Sequence, residues 1–156
     1  MSSYLHSIRK QVGKQCILLP GVCAIILNSR NEVLLQHRTD LDGWSLPAGS
    51  VELDETALEA LKREVLEETA LEVISAEPMA LYSGASQRFT YPNGDRVLCF
   101  SVAFVVREWK GEPQVDGIEG SEVRFFPLSQ LTEDIVSIHK QTLCDYEKYD
   151  GTFFLA

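Results

Sequence analysis

GSVELDETALEALKREVLEETAL, residues 49–71, carries an unusual density of carboxylates on what reads as one short helix. Leu58, Leu61 and Val65 recur at spacings of three and four, the signature of an apolar stripe on an amphipathic helix from residue 55 to about 69. Asp54 stands where an N-cap is needed, and a carboxylate at Glu55 suits the positive end of the helix dipole. Glu64, Glu67 and Glu68 sit at i, i+3 and i+4, so their side chains leave the helix on one side, beside the stripe. Like charges at those spacings cost about 0.2–0.5 kcal/mol per pair. A solvated acidic face relieved by Glu59–Arg63 and Arg63–Glu67 pairs is the plainer reading. The alternative is a hard divalent cation such as Mg²⁺, which takes oxygen ligands, typically one or two carboxylates together with substrate phosphates.

The sequence on either side is strand-rich. CILLPGVCAIILN and EVLLQHR are aliphatic and β-branched runs separated by the polar turn SRN. DLDGWSLPAGS is punctuated by Gly43, Pro47 and Gly49, which predicts loop and short strand before the acidic helix. After it, LEVISAEPMALYSG and RVLCFSVAFVVREW read as strands, with YPNGD at residues 91–95 as the turn before the second, and EVRFFPL as a further short strand. Tyr4, Leu5, Ile8 and Val12 predict an N-terminal amphipathic helix over residues 3–12 ending at Gly13. TEDIVSIHKQTLCDYEKY, with Ile135, Ile138 and Leu143, predicts a C-terminal one. Strands, a helix, more strands and a final helix fit a mixed sheet with helices packed on it. No repeat, low-complexity run or linker divides residues 1–156, so one domain is expected.

Composition narrows the partners. With 14 Lys+Arg against 23 Asp+Glu the formal charge is −9, which argues against a broad electrostatic grip on DNA or an anionic membrane. An anionic substrate would need a local remedy such as bound cations. Cys16, Cys23, Cys99 and Cys144 form no CxxC pair and lie mostly in apolar runs; they read as buried free thiols rather than zinc ligands, in keeping with a reducing cytoplasm. MSSYLHSIRKQVGKQ lacks the apolar core of a signal peptide, and no stretch approaches the roughly 20 apolar residues of a membrane span. A cytoplasmic protein is therefore expected.

Spacing then becomes decisive. Gly49, five residues, Glu55, seven residues and Arg63-Glu64-Val65-Leu66-Glu67-Glu68-Thr69-Ala70-Leu71 together closely resemble the Nudix box, GX5EX7REUXEEXGU with U aliphatic. The one departure is Ala70 in the place of a glycine, just past the helix end, where a left-handed turn on alanine would cost about 1–2 kcal/mol. Upstream, Trp44-Ser45-Leu46-Pro47-Ala48-Gly49 resembles the WxLPGG run of many Nudix hydrolases, with Ala48 replacing one glycine.

The resemblance implies an α/β (α+β) Nudix fold, an α/β/α sandwich around a mixed β-sheet, and metal-dependent hydrolysis of the pyrophosphate linkage in a nucleoside diphosphate joined to some group X. Carried over by position, Glu64, Glu67 and Glu68 would hold Mg²⁺ or Mn²⁺, with the Gly49 carbonyl as a further ligand. Arg63 would orient a carboxylate, and Glu55 would support the loop before the helix. In parts of the family a base or an additional ligand comes from a later loop. Here DGIEGSEVRFF offers Glu119, preferred for its flanking Gly117 and Gly120, with Glu122 and then Glu52 as alternatives to it and to a helix glutamate.

His37 reads as a strand-end residue and His6 and His139 as helix-face residues; Trp44, Phe89 and Tyr91 read as packing aromatics that are also capable of stacking on a base. The substrate is expected to be a small nucleotide derivative: ADP-ribose or an NDP-sugar, a dinucleotide or nucleotide cofactor, or a (d)NTP. The competing classes are a nucleotide sensor on the same fold, an acidic ion buffer, and an RNA 5′-pyrophosphohydrolase. The N-terminal helix and exposed strands leave room for a homodimer.

Overall fold

The computed structural model describes residues 3–41, 43–115, 117 and 120–156. In chain order the elements are α1 (Ser3–Val12), β1 (Ile17–Ile26), β2 (Glu32–Arg38), β3 (Gly43–Ser45), β4 (Ala48–Ser50), α2 (Ala57–Thr69), β5 (Glu72–Tyr82), β6 (Arg88–Thr90), β7 (Arg96–Lys110), β8 (Gly120–Pro127), α3 (Ser137–Tyr146) and β9 (Phe154–Leu155). The larger sheet runs β4-β1-β7-β5-β9, with β6 pairing on β7; a smaller sheet runs β3-β2-β8.

The centre of the larger sheet is the parallel pair β1 and β7, in register from Ile17 opposite Val97 to Ile26 opposite Val106. β4 and β5 pair antiparallel on either side of it, so the sheet is mixed. Strand alternation sorts the core into two layers. Val22, Ala24 and Ile26 face α2 and pack with Leu61, Val65, Phe104 and Val106. Cys23 and Ile25 face the other way and pack with Met79, Tyr82, Val105 and Leu143 of α3. The molecule is thus the α/β/α sandwich with a mixed sheet that the motif implied.

Local chemistry explains the element ends, and it corrects several expectations. α2 is capped by Thr56, not Asp54: the Thr56 hydroxyl accepts from the Glu59 N–H while the Glu59 carboxylate accepts from the Thr56 N–H, a full capping box. Asp54 lies two residues earlier with φ 64°, inside the turn that delivers the chain to the cap. The buried stripe of α2 comprises Ala60, Leu61, Val65, Glu68 and Thr69; Leu58, assigned to it from spacing, is 40% exposed. Ala70 keeps the left-handed turn despite its Cβ, with φ 58° and its N–H bonded to the Leu66 carbonyl at 3.0 Å. Ile135 precedes α3 and bridges to Trp44. All four cysteines are free, yet only Cys23 and Cys99 are buried; Cys16 and Cys144 are exposed. YPNGD forms its turn, with the Tyr91 N–H on the Asp95 carbonyl at 2.8 Å and Gly94 at φ 86°. Among the described residues no helix is long and apolar enough to cross a membrane.

Candidate active site

The site is assembled where β4 runs alongside α2. Arg63 is its hub. The guanidinium grips Glu55 through Nε and Nη2 at 2.8 and 2.9 Å, reaches the Ser50 carbonyl at 3.0 Å, and donates from Nη1 to Glu64 at 2.7 Å and to Glu67 at 3.3 Å. Glu55 also accepts from the Glu52 N–H at 2.9 Å, so this bidentate pair ties the loop 50–55 to the helix. The Arg63 hydrogen bonds hold the Glu55 carboxyl below the usual carboxylate range.

Glu64 lies flat against the backbone of Gly49: a Cβ built there would stand 1.9 Å from the Glu64 carboxyl carbon. Glycine is required at this position for space rather than for an unusual backbone. Glu68 is different in kind. It sits on the buried stripe, 4% exposed, with Oε2 accepting the Ala48 N–H at 2.9 Å and Oε1 meeting no hydrogen-bond donor. Burial pushes its carboxyl up to about 8, against the pull of the Gln36 carboxamide, the Ala48 N–H and Arg38. Gln36, 1% exposed, stands near enough to Glu68 to act on its carboxyl, though its Nε2 falls outside hydrogen-bonding geometry; the Oγ of Ser45, its register neighbour across β2 and β3, also makes no hydrogen bond.

The three helix glutamates line one cavity but sit in different surroundings. Among the described residues no three side chains of His, Cys, Asp or Glu form a ready metal cage. Arg63 is the counter-charge for Glu64 and for the largely exposed Glu67, while Glu68 is buried yet near enough to Glu64 to feel its charge. Even so, the donor set suits a hard cation. A buried carboxylate with an unmatched oxygen and a second carboxylate cradled on a glycine backbone supply oxygen donors, which such ions prefer.

Glu64, Glu67, Glu68, Gly49 and Glu52 line one mouth of a cavity of about 950 Å³ that continues between β1, β6, β7, α1 and α3. Arg38 lines it too, bound to Asp40 at 2.8 and 2.7 Å. His139, on the wall, accepts the Leu46 N–H at Nδ1 and is kept neutral by burial, its imidazole pushed down to about 3. Sequence reading had placed His139 merely on a helix face. Gln87, 4% exposed on the same wall, follows a turn with no motif that could have flagged it.

The remaining candidates spread out. Phe89 and Tyr91 line the cavity and pack edge to face at 5.0 Å. Trp44 is core, edge-on to His37 and Phe126 with the Arg124 guanidinium over its ring. Glu122 lies across the small sheet from His37, 3.6 Å from Arg124, and does not line the cavity. Glu119, with Asp116 and Ile118, lies outside the described residues.

The NUDIX domain profile matches residues 18–146 of this chain. The chain belongs to the NUDIX family. It is 38% identical over 141 residues to an RNA pyrophosphohydrolase of Pseudomonas putida, covering 80% of this chain and 88% of that protein. It is 28% identical over 127 residues to a putative 8-oxo-dGTP diphosphatase of Bacillus subtilis, covering 81% and 78%. In fold it is similar to the NUDIX domain of Shewanella oneidensis NrtR, solved with ADP ribose, with a TM-score of 0.67 at 19% identity over 95% of this chain and 98% of that one. Helix α1 lies before the matched NUDIX region.

Proposed function

We propose that this NUDIX protein hydrolyses the phosphoanhydride bond of a small nucleoside diphosphate or triphosphate derivative, with Mg²⁺ or Mn²⁺ held by Glu64, Glu67, Glu68 and the Gly49 carbonyl. The observation that carries the reading is the placing of the acidic mouth, with its unmatched Glu68 oxygen, at one end of a 950 Å³ cavity, roomy enough for a nucleotide. Diphosphates resist water because their oxygens repel the nucleophile and the leaving phosphate bears charge; a bound divalent cation neutralises both. The chain's own residues do the rest. Arg63 fixes Glu64 and Glu67 and, through Glu55, the loop that carries Ser50. Of the helix carboxylates, Glu68, facing the cavity from the buried side of α2, is the one we assign to take the proton of an attacking water. Glu119 remains the preferred loop alternative for that role.

A second reading, removal of pyrophosphate from RNA 5′ ends, is favoured by the 38% identity to the Pseudomonas putida protein. The charge of −9 weighs against it, since an RNA chain needs a cationic track. Product release from ADP-ribose, NDP-sugars, dinucleotides, (d)NTPs and 5′-triphosphate RNA, each with Mg²⁺ and Mn²⁺, decides between them. Cleavage should require the metal and fall at least about 10²-fold in Glu68→Gln. Metal-independent cleavage, or turnover near normal in both Glu67→Gln and Glu68→Gln, refutes the assignment.

A further inference from the structure

Helix α1 stands outside the matched NUDIX region, yet it walls the same cavity as the box carboxylates. Leu5 is the one buried side chain among the described residues of α1, 9% exposed, and it faces that cavity. Arg9, four residues on and so on the same face of the helix, also lines it. The Arg9 guanidinium donates to the Arg96 carbonyl at 2.6 Å and, at the helix's own end, to the Gln15 and Gly13 carbonyls at 2.7 and 3.1 Å. Lys14 completes the attachment, bonding the Asn93 carbonyl and pairing with Asp95 at 3.2 Å. The helix is therefore pinned to the β6–β7 turn, and its Leu5 is a fixed part of the wall.

Gln87 belongs to the same wall. The turn Ala85–Gln87 is closed by the Gln87 N–H on the Gly84 carbonyl at 3.1 Å and leads straight into β6, so its backbone is set. Its carboxamide, 4% exposed, makes no hydrogen bond to a described residue. As part of the cavity lining, the amide can meet water when the cavity is empty and a ligand's polar edge when it is filled. A carboxamide on the cavity wall offers one donor and one acceptor in a plane, the complement of a nucleobase edge. Phe89, two residues on, and Leu5 line the same cavity and supply apolar surface that a base face needs, while ribose or a sugar polyol would lose hydration there without return.

We propose that Gln87 reads the edge of the substrate's nucleobase, in a pocket that α1 completes through Leu5. This deepens the hydrolase reading and rests on it for the location of the phosphates. Every common base presents an adjacent donor and acceptor, so the order in which the fixed carboxamide meets them sets which base is preferred; Gln87 and Leu5 set specificity, and the box sets chemistry.

The test separates the two claims by removing both phosphate and metal. Adenosine, guanosine, cytidine, uridine and ribose are titrated by NMR into the full chain in chelator, and into Gln87→Leu, Gln87→Glu and Leu5→Asp. At least one nucleoside should bind the wild type on the order of tenfold or more tighter than ribose. Gln87→Leu should cut that preference by on the order of 10- to 100-fold, the scale of one bidentate base contact. The isosteric Gln87→Glu, which keeps the acceptor and loses the donor, should change which base is preferred, and Leu5→Asp should weaken all nucleosides alike. A wild type that binds nucleosides no better than ribose overturns the proposal, as does a preference unchanged in Gln87 variants that melt normally. Either result leaves metal-dependent turnover standing; base binding without turnover would sink the hydrolase reading instead.

Discussion

Replacing Gly49 by alanine separates position from stability at the proposed active site. The backbone there tolerates an L-residue, but the new Cβ would stand 1.9 Å from the Glu64 carboxyl carbon and 2.1 and 2.3 Å from its oxygens. To recover an ordinary carbon–carbon contact of about 3.5 Å the carboxyl must retreat by about 1.6 Å. It is the far end of a flexible side chain, so it can. The retreat breaks its 2.7 Å bond with Arg63, a partly exposed pair worth about 0.5–1 kcal/mol. Alanine returns about 0.4–1 kcal/mol by restricting the unfolded chain. Stability should therefore change by less than about 1 kcal/mol, a melting shift within about 4 °C. Catalysis should not be spared, because a displacement of this size in a reacting array costs on the order of 10²-fold. Steady-state turnover with Mg²⁺ beside a thermal melt reads both. A variant that melts normally and turns over within about threefold of wild type refutes the reasoning that Glu64 must lie on the Gly49 backbone. A variant that unfolds refutes the claim that Glu64 can yield.

Two further perturbations follow from the backbone and the charge. Ala70→Gly should stabilise the protein by about 0.5–1 kcal/mol, because the left-handed turn at φ 58° penalises a Cβ more than glycine's extra freedom costs; a lower melting temperature would contradict this. In chelator, burial raises the folded-state Glu68 carboxyl to about 8 from its ordinary value of 4.5. Between those values the folded state holds more protons than the unfolded one, so this group's contribution to stability declines as pH rises from about 4.5 to about 8, with a slope of at most about 1.4 kcal/mol per pH unit. His139 acts oppositely: pushed down to about 3 from 6.5, it removes stability as pH falls through that window. Denaturant melts of wild type and Glu68→Gln across pH 4–9 isolate the first effect as their difference, and a pH-independent difference would show that Glu68 is not buried as described.

The fold was legible because its strongest signals are periodic. Leu61 and Val65 recur on one face of α2, and the aliphatic runs of β1 and β7 are long enough to be buried on both sides, as their two-layer packing shows. The site was legible only as spacing. The i, i+3, i+4 rule placed Glu64, Glu67 and Glu68 on one side of the helix, but it could not see that Arg63 binds Glu64 and Glu67 or that Glu68 is 4% exposed. Those outcomes depend on tertiary neighbours, the Gly49 backbone and the Ala48 N–H, that arrive from another strand. The capping box Thr56-Ala57-Leu58-Glu59 is present in the sequence, but Asp54 directly precedes a helix begun at Glu55, and only the reciprocal hydrogen bonds identify Thr56 as the cap. Gln87 had no pattern at all: a lone amide in a polar turn gains meaning only when a cavity is found beside it.

Net charge and cavity lining converge on one requirement. The arginines that line the cavity, Arg9, Arg38 and Arg63, are each already engaged: the first with backbone carbonyls, the second with Asp40, the third with Glu55, Glu64, Glu67 and Ser50. Freeing any of them for a phosphate would strand a carboxylate or unpin α1. A polyphosphate entering this acidic mouth must therefore be neutralised by cations brought from solution, and the −9 charge makes that dependence steeper at low ionic strength. On the proposed function the labour would be divided differently from a cationic phosphate pocket: the protein's arginines hold carboxylates in place, and the carboxylates, with an imported ion, would hold the phosphates. Affinity for substrate in chelator should then come from the base end alone. Raising Mg²⁺ should lower KM for nucleotides while leaving nucleoside binding unchanged, and a nucleotide KM indifferent to Mg²⁺ would break the link between charge and function.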